Sequence, residues 1–384
     1  MDFTLDAEQA ALRDAVRGLL GKAYDTFETR RAVTKEEPGW SDKTWQQLAE
    51  MGVLGLPFAE ADGGMGAGPV EVSIVAEEFG RVIAPEPFVE AVVLAGGLVA
   101  RAGTDEQRSE ILGKLAEGTL VPAFAHVEPG SYFSEVASGV PATKSGDGWA
   151  LAGVKEPVLG GARADLLVVS AAVDPSTGSG TNVGLFLVEA DASGLTRDGY
   201  ATHDGGRAAR VTFKDTPAAA LGEAGADQSG AIAAVIAEAQ IAYGHESVGA
   251  MQTALEQTTE YLKTRKQFGV PLSTFQALTF RAADMYVSLE LARSTVTWAT
   301  LVLLDGGNAA EAASRAKLQV SKAGRHIGQE AIQLHGGIGM TAEYSVGHFT
   351  SRLTAIDHIL GDGRHHLNTL VKTLDDHTVV EPLP

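Results

Sequence analysis

The chain has 384 residues, and its 30 Lys and Arg residues against 49 Asp and Glu residues give a formal net charge of −19. It contains no cysteine, which excludes disulfides, thiolate metal sites, iron–sulfur clusters and cysteine nucleophiles. The negative charge argues against bulk binding to nucleic acid or to an anionic membrane, because both require a positive surface.

The composition and the N-terminal sequence predict a cytoplasmic protein. Hydrophobic residues make up 45% and charged residues 21% of the chain, as in a folded protein with a large core. The first residues, MDFTLDAEQAALRDAV, are acidic and amphipathic. They lack the basic segment followed by an apolar segment that characterises a secretory signal. No apolar run approaches the ~18 residues of a membrane span, so we expect no membrane partner.

Residues 1–120 are predicted to form an N-terminal helical domain. Leu5, Leu12, Val16 and Leu19 recur at spacings that place them on one helical face. A glycine-rich loop at 63–68 and a proline-rich turn at 84–87 separate further helices in this domain.

Residues 121–226 are predicted to form a middle β domain. Short apolar or alternating runs occur at 151–154, 164–170, 183–188 and 209–213. Turn-rich segments separate them, which is typical of an antiparallel sheet. No helix-length segment lies between these runs, so a parallel βαβ sheet is not expected.

Residues 227–384 are predicted to form a C-terminal four-helix bundle. Helices are expected at 230–263, 275–304 and 309–334, with a last helix after Gly363. Long helices joined by short loops favour an antiparallel bundle. The expected fold class is therefore mainly α with a β middle domain.

The first candidate site is the stretch YLKTRKQFGVPL at residues 261–272. Lys and Arg residues lie at the end of a long helix here, and Gly269 and Pro271 prevent the helix from continuing. These residue types suit an ordinary helix C-terminus. The alternative is that the guanidinium of Arg265 binds a diphosphate, which its planar set of donors matches.

The second candidate site is the stretch QEAIQLHGGIGMT at residues 329–341. Adjacent glycines allow a ligand to approach the backbone closely, although a helix C-cap is the simpler explanation. The stretch is not a dinucleotide fingerprint, because its glycines follow a helix instead of linking a strand to one. His358, His365 and His366 match no known metal-ligand spacing, so no metal site is predicted.

Together and in this order, the two stretches resemble the acyl-CoA dehydrogenase family. That family carries an R-x-Q-F-G segment after a long helix, followed by Q-x-x-G-G-x-G. Further segments match at the expected places along about residues 1–370: WQQLAEMGVLG at 45–55, DGGMG at 62–66, AEEFGR at 76–81, GARAD at 161–165 and the helix start at 275–285.

The resemblance implies FAD, bound between subunits, and α,β-desaturation of an acyl-CoA thioester. In that reaction a carboxylate removes the α-proton and a hydride passes to the flavin. An electron-transfer flavoprotein is the implied electron acceptor. The residues implied to hold the adenosine diphosphate end are Arg265, Gln267 and Phe268. Those implied to reach the FAD of the neighbouring subunit are Gln333, Gly336 and Gly337.

The catalytic base of the family has no clear counterpart in this sequence. One family position for the catalytic Glu corresponds to Gly361, and the other corresponds to Ala239. The remaining candidates for a base are Asp362 and Glu246. Asp362 also suits a helix N-cap, and Glu246 also suits an ordinary helix carboxylate.

The segment that packs on the flavin in the family differs too, with Pro157 and Leu159 where a Trp and a Thr are expected. The adenosine-side motifs are intact, so the chain resembles the degenerate subunit of α2β2 acyl-CoA dehydrogenases, some of which act on steroid side-chain CoA thioesters. One alternative is a self-sufficient homotetramer that uses Asp362 or Glu246 as base. Another is a flavin-free scaffold for a partner enzyme.

Overall fold

The fold is described from a computed structural model of the chain. It describes residues 4–131, 133, 139–146, 148–173 and 182–374. The N-terminal and C-terminal ends of the predicted domains, 1–3 and 375–384, lie outside the described residues.

The N-terminal region is helical, as predicted. Asp6 caps the start of the first helix, and its side chain accepts hydrogen bonds from the N–H groups of Glu8 and Gln9. Such a cap satisfies backbone N–H groups that have no partner within the first turn of a helix. Val16 and Leu20 are buried on one face of this helix. The helices are α1 (Ala7–Ala23), α2 (Phe27–Lys35), α3 (Asp42–Glu50), α4 (Pro69–Val82), a π-helical segment (Phe88–Gly96), α5 (Gly97–Ala102) and α6 (Asp105–Ala116).

The middle region forms a twisted sheet with its own core. Its strands are β1 (Pro122–Ala125), β2 (Pro141–Ser145), β3 (Gly148–Leu159), β4 (Leu166–Val173), β5 (Asn182–Glu189), β6 (Leu195–Ala201) and β7 (Arg207–Ala220). Most neighbours pair antiparallel, with Lys155 of β3 opposite Val211 of β7. Two short pairings, β1 with β4 and β2 with β4, are parallel, so the sheet is mixed at one side. The sequence runs did not indicate this, because parallel neighbours here come from strands far apart in sequence.

The C-terminal region is a bundle of three long helices, as predicted, followed by two shorter ones. Its elements are α7 (Ser229–Thr264), the small strands β8 (Lys266–Gln267) and β9 (Val270–Pro271), α8 (Gln276–Leu304), α9 (Ala309–His335), α10 (Val346–His358) and α11 (Gly363–Lys372). The sequence analysis did not identify α10, which has polar residues interspersed among few apolar ones.

One helix of the bundle, α8, is more apolar than we expected from the sequence. α8 is long and apolar enough to cross a membrane by length and composition alone. It packs against α7 and α9, and helices of soluble bundles pass the same test. Its exposed side chains are nevertheless unusually apolar: Phe280, Tyr286, Val287, Leu291 and Leu304.

Close helix packing joins the N-terminal region to the bundle. A side chain at Gly80 on α4 would collide with the carbonyl of Glu246 on α7, and one at Gly249 on α7 would collide with the carbonyl of Glu77 on α4. Glycine at both crossings lets the two helix backbones meet directly. α6 ends at Ala116 and β7 ends at Ala220; the division into domains at 120 and 226 stays a prediction.

Candidate functional site

The two predicted nucleotide motifs lie at the same end of the C-terminal bundle. α7 ends at Thr264 with Arg265 as its C-terminal cap, and α9 ends at His335. The rings of Tyr261 on α7 and His335 on α9 are 4.5 Å apart between centroids. The tertiary structure therefore brings the two motifs, distant in sequence, into one surface region.

A tight β-hairpin presents the first motif. Gln267 of β8 pairs with Val270 of β9, and the two loop residues, Phe268 and Gly269, have φ angles of 55° and 83°. Positive φ at both central residues is the geometry of a two-residue hairpin turn. Phe268 is 91% exposed at the tip, and Arg265 and Gln267 are exposed beside it. All three side chains are open to a ligand or to another subunit.

The second motif forms the C-terminal end of α9, and several of its residues are exposed on the surface. Gly336 caps α9 with a φ of 66°, and Gln333, Gly336 and Gly337 are exposed. A Cβ atom placed on Gly336 or Gly337 would meet nothing within 4 Å. A neighbouring molecule can therefore reach the backbone here. An exposed guanidinium beside an open backbone fits the diphosphate end of FAD.

A cavity of about 520 Å³ lies where the three predicted domains meet. The segment around the π-helix contributes Glu86 and Glu90, β3 contributes Pro157 and Leu159, and α10 contributes Arg352. The two positions at which a flavin-packing Trp and Thr are expected therefore line this cavity. The side chains of Pro157 and Leu159 present only carbon atoms and have no hydroxyl or indole N–H group.

Buried ion pairs cross the floor of the cavity. Arg352 Nε donates to Glu246 Oε1 at 2.6 Å, and its Nη1 donates to Asp204 Oδ2 at 2.7 Å. Burial alone would raise the pKa of Asp204, but Arg352 and local hydrogen bonds lower it to about 2. Burial would lower the pKa of Arg352, yet its two carboxylate partners raise it well above its ordinary value. Three buried charges thus join α10, α7 and the β6–β7 turn.

Burial raises the pKa of two other carboxyl groups of the cavity wall. Burial raises the pKa of Glu86 to about 7, and its Oε1 accepts hydrogen bonds from the Tyr24 hydroxyl and the Ser41 N–H. Burial also raises the pKa of Glu90, which accepts a hydrogen bond of 2.8 Å from the Tyr243 hydroxyl. Carboxyl groups with raised pKa values in a cavity are candidates for function or for binding.

The first family position for a catalytic Glu is closed to a side chain. Gly361 is buried with a φ of 106°, a backbone conformation that strains residues other than glycine. A Cβ atom on Gly361 would lie 2.5 Å from His366 Nε2 and 2.8 Å from His365 Cδ2. At the second family position, Ala239 is fully buried in the apolar core.

The two predicted candidate bases have structural partners. Asp362 is the N-cap of α11, and its Oδ1 accepts a hydrogen bond of 2.7 Å from the His365 N–H. Glu246 is buried and paired with Arg352. Glu238, one residue from the second family position, forms an ion pair with Arg101.

Most of the cavity wall has no local signal in the sequence. Arg352, Asp204, Glu86 and Glu90 line the cavity and carry no local motif, and neither does Tyr243, which donates a hydrogen bond to Glu90. They come from different elements and meet only in the folded chain. A weak signal was present in one charged residue within an otherwise apolar helical segment, Glu90 among valines.

Comparisons with known proteins agree with this arrangement. The family model for the acyl-CoA dehydrogenase N-terminal domain matches residues 6–119, and that for the C-terminal domain matches residues 230–374. Acyl-CoA dehydrogenase FadE12 of Mycobacterium tuberculosis is 30% identical over 90% of this chain and 90% of its own length.

Solved structures share the whole fold. A Tcur3481–Tcur3483 steroid ACAD G363A variant is 33% identical, with a TM-score of 0.87 over 97% of this chain and 99% of that chain. The ChsE4–ChsE5 complex from Mycobacterium tuberculosis is 26% identical, with a TM-score of 0.88 over 99% of this chain and 100% of that chain. The chain belongs to the acyl-CoA dehydrogenase family of oxidoreductases.

Proposed function

We propose that this chain is the subunit without a catalytic base in a heteromeric, FAD-dependent acyl-CoA dehydrogenase, a cytoplasmic α2β2 assembly. In this assembly it supplies the adenosine end of a shared FAD site to a related subunit. The observation that carries the proposal is the geometry of Gly361. Its positive φ and the adjacent His366 leave no room for the Glu of the family.

The contacts of the two remaining candidates support the absence of a base. A general base must be free to accept a proton from a bound substrate. Glu246 already accepts a charge-assisted hydrogen bond from Arg352, and Asp362 already caps α11. Both carboxylates are held by these structural contacts, so neither is free to take the α-proton.

The adenosine end is the part of the FAD site that this chain would hold. When bound, FAD supplies the hydride acceptor for desaturation of the thioester. Arg265 would pair with the diphosphate, Gln267 and Gln333 would donate hydrogen bonds, and Gly336 and Gly337 would allow close backbone approach. The exposure of these residues in the single chain suits a site completed by another subunit.

Exposed apolar side chains support the second subunit. Phe268 and Met340 are 91% and 82% exposed at the nucleotide end of the bundle, and α8 carries a further apolar face. Large apolar side chains that are exposed in a single chain are often covered by a partner. Two of the structurally similar proteins are named as heteromers, one of them a steroid ACAD. We therefore propose a related subunit as partner and a steroid side-chain CoA thioester as substrate.

The electron acceptor that we propose is an electron-transfer flavoprotein. One similar solved structure, 27% identical, is titled an electron transferring flavoprotein of Acidaminococcus fermentans. Another relative is named as a subunit of a caffeyl-CoA reductase-Etf complex. Reoxidation of the purified complex by such a flavoprotein, followed by absorbance, tests this assignment.

Flavin content tests the proposal directly. The chain is expressed alone and together with a candidate partner chain of the acyl-CoA dehydrogenase family from the same genome. The flavin absorbance and dehydrogenase activity of each preparation are recorded. We expect a colourless single chain and a yellow, active complex with one FAD per pair. A yellow, active homo-oligomer would support the self-sufficient alternative, and Asp362→Asn and Glu246→Gln would then identify its base. A complex that keeps its flavin after Arg265→Ala would support the scaffold alternative.

A further inference from the structure

A buried lysine in the middle of α9 contacts the turn between α10 and α11. Lys317 is 1% exposed. Its ammonium group donates hydrogen bonds of 2.5 Å, 3.4 Å and 2.8 Å to three main-chain carbonyl oxygens, those of Ile356, Asp357 and Ile359. An ammonium group has three N–H donors, so these carbonyls match its full capacity. Because carbonyls at a helix C-terminus lack partners within the helix and favour a cation, Lys317 caps α10 from a neighbouring helix.

The turn that Lys317 holds forms part of the wall of the central cavity. Three of its residues line the cavity of about 520 Å³: His358, Ile359 and Leu360. The Leu360 carbonyl accepts hydrogen bonds of 2.7 Å from Gln240 Nε2 on α7 and of 3.2 Å from His366 Nε2 on α11. Contacts from α7, α9 and α11 thus fix the turn directly before the position matched to the family's Glu.

The face of α9 that meets this turn is polar. Ser314, Lys317 and Ser321 follow one another at spacings that place them on one helical face, and all three are buried. Ser314 Oγ forms a hydrogen bond of 3.2 Å with His366 Nδ1. A Cβ atom on Gly363 would lie 2.8 Å from Ser321 Cβ, so the start of α11 lies directly on this face. Buried polar groups are costly unless they are paired, and the α10–α11 segment supplies the partners of Ser314 and Lys317.

Lys317 also acts on His366 through its charge. Burial lowers the pKa of Lys317 to about 7, while Asp357 and Asp362 raise it, so the amine is ionised in acidic solution. The pKa of His366 is lowered to about 4, first by burial, then by the charge of Lys317 and by His365. The two buried groups therefore compete for one positive charge, and below neutral pH this charge resides on Lys317.

We propose that Lys317 is a positioning residue for the closed base position: its ammonium group fixes the α10–α11 turn, and its charge keeps His366 uncharged and packed against Gly361. A protonated imidazole is costly in a buried site without a partner for its charge, so it would move toward water and out of the space at Gly361. Lys317 does not line the cavity and acts only through the turn and His366. The inference rests on the proposed function, because closure of this position matters in a subunit that supplies no base.

The titration of His366 in the full single chain tests the proposal. The chain is labelled with ¹³C in its histidine rings, and the His366 signal is identified by its loss in His366→Gln. We expect His366 of the wild type to be neutral above about pH 5. Lys317→Gln keeps N–H donors but loses the charge. In this variant the proton-binding constant of His366 should rise about tenfold, the effect of removing one nearby positive charge.

Two further lysine variants serve as controls. Lys317→Arg keeps a cation with several N–H donors and should retain the low pKa of His366. Lys322→Met removes an exposed lysine of the same helix and should leave the titration of His366 unchanged. An unchanged titration in Lys317→Gln, or the same rise in Lys317→Arg as in Lys317→Gln, would overturn the proposal.

A measurement on the wild type covers the case in which Lys317→Gln does not fold. An ammonium group that donates three buried hydrogen bonds exchanges its protons slowly, so its ¹⁵Nζ signal should be visible at about pH 5.5 and missing in Lys317→Arg. A wild-type chain without such a signal would also overturn the proposal. The proposed function is decided separately, because flavin in the single chain would contradict it whatever the titration of His366 shows.

Discussion

The imidazole of His366 occupies the space that a side chain at Gly361 would need. A Cβ atom on Gly361 would lie 2.5 Å from His366 Nε2, and His366 is itself held by hydrogen bonds to Ser314 Oγ and the Leu360 carbonyl. Burial lowers the pKa of His366 to about 4, so the ring is neutral at physiological pH. The position that we propose to match the family's Glu is therefore occupied by a packed, uncharged side chain.

Gly361→Glu should destabilise the fold without creating a catalytic base. The positive φ alone costs about 1–3 kcal/mol for a residue other than glycine, and Gly361→Ala should already show this loss in urea unfolding. Gly18→Ala is the control, because a Cβ atom at this exposed helical position meets nothing within 4 Å and alanine favours a helix. A Gly361→Glu chain with unchanged stability and acyl-CoA dehydrogenase activity would contradict this account.

Arg352→Met should lower the free energy of unfolding by about 3–5 kcal/mol, because it leaves Glu246 and Asp204 buried without their cation. Urea unfolding followed by circular dichroism measures the loss. Arg163→Met removes an exposed pair with Asp165 and should change stability by less than about 1 kcal/mol. Similar losses in the two variants would show that the buried network contributes little.

Glu86 should make stability depend on pH between about 4.5 and 7. Burial raises the pKa of Glu86 from 4.5 to about 7 in the folded chain, so the folded state binds more protons than the unfolded state in this range. Stability should therefore fall as the pH rises through this window, by at most about 3 kcal/mol. Glu86→Gln mimics the protonated form and retains an acceptor for Tyr24.

The measurement for Glu86 is the difference between wild type and Glu86→Gln in unfolding free energy, taken at intervals from pH 4.5 to pH 7.5. The difference removes the contribution of other titrating groups, including His366. We expect the variant to gain stability relative to wild type as the pH rises. A constant difference across the window would show that Glu86 titrates at its ordinary pKa in the fold.

Arg265→Ala should leave the chain folded but remove flavin from the complex. The guanidinium makes no side-chain hydrogen bond or ion pair within the described residues, so its loss should not change the unfolding temperature. Loss of a hydrogen-bonded charge to a diphosphate should weaken FAD retention about tenfold or more. Lys266→Ala, an exposed cation next to it, is the control. The flavin content per complex, measured by absorbance, tests whether Arg265→Ala loses flavin while Lys266→Ala retains it.

Phe268→Ser should weaken assembly with the partner without changing the stability of the single chain. The ring is 91% exposed at the hairpin tip and makes only an edge contact with Phe275, so the single chain gains little stability from it. Leu367→Ser on α11, where Leu367 is 46% exposed, removes a comparable apolar side chain away from the nucleotide end. Analytical ultracentrifugation of each variant with the partner subunit compares the two. If the two variants assemble equally well with the partner subunit, Phe268 does not lie in the interface.

The sequence by itself determined the kind of elements and the family. Helical periodicity predicted the N-terminal helices and the long helices of the bundle, and alternating runs separated by turns predicted the β domain, because both signals are local. The spacing of Arg265, Gly336 and their neighbours identified the family for the same reason. The proposal that the family's Glu is absent also rests on residue identities alone, Gly361 and Ala239, at the two positions matched to it.

The tertiary structure decided what surrounds those positions. Only the fold brings Tyr261 beside His335 and so places the two nucleotide motifs at one end of the bundle. Only the fold sets His366 against Gly361 and joins Arg352 to Glu246 and Asp204 across three elements. The reason is physical: ion pairs, steric exclusion and cavities depend on distances between residues far apart in sequence, and no local pattern encodes those distances.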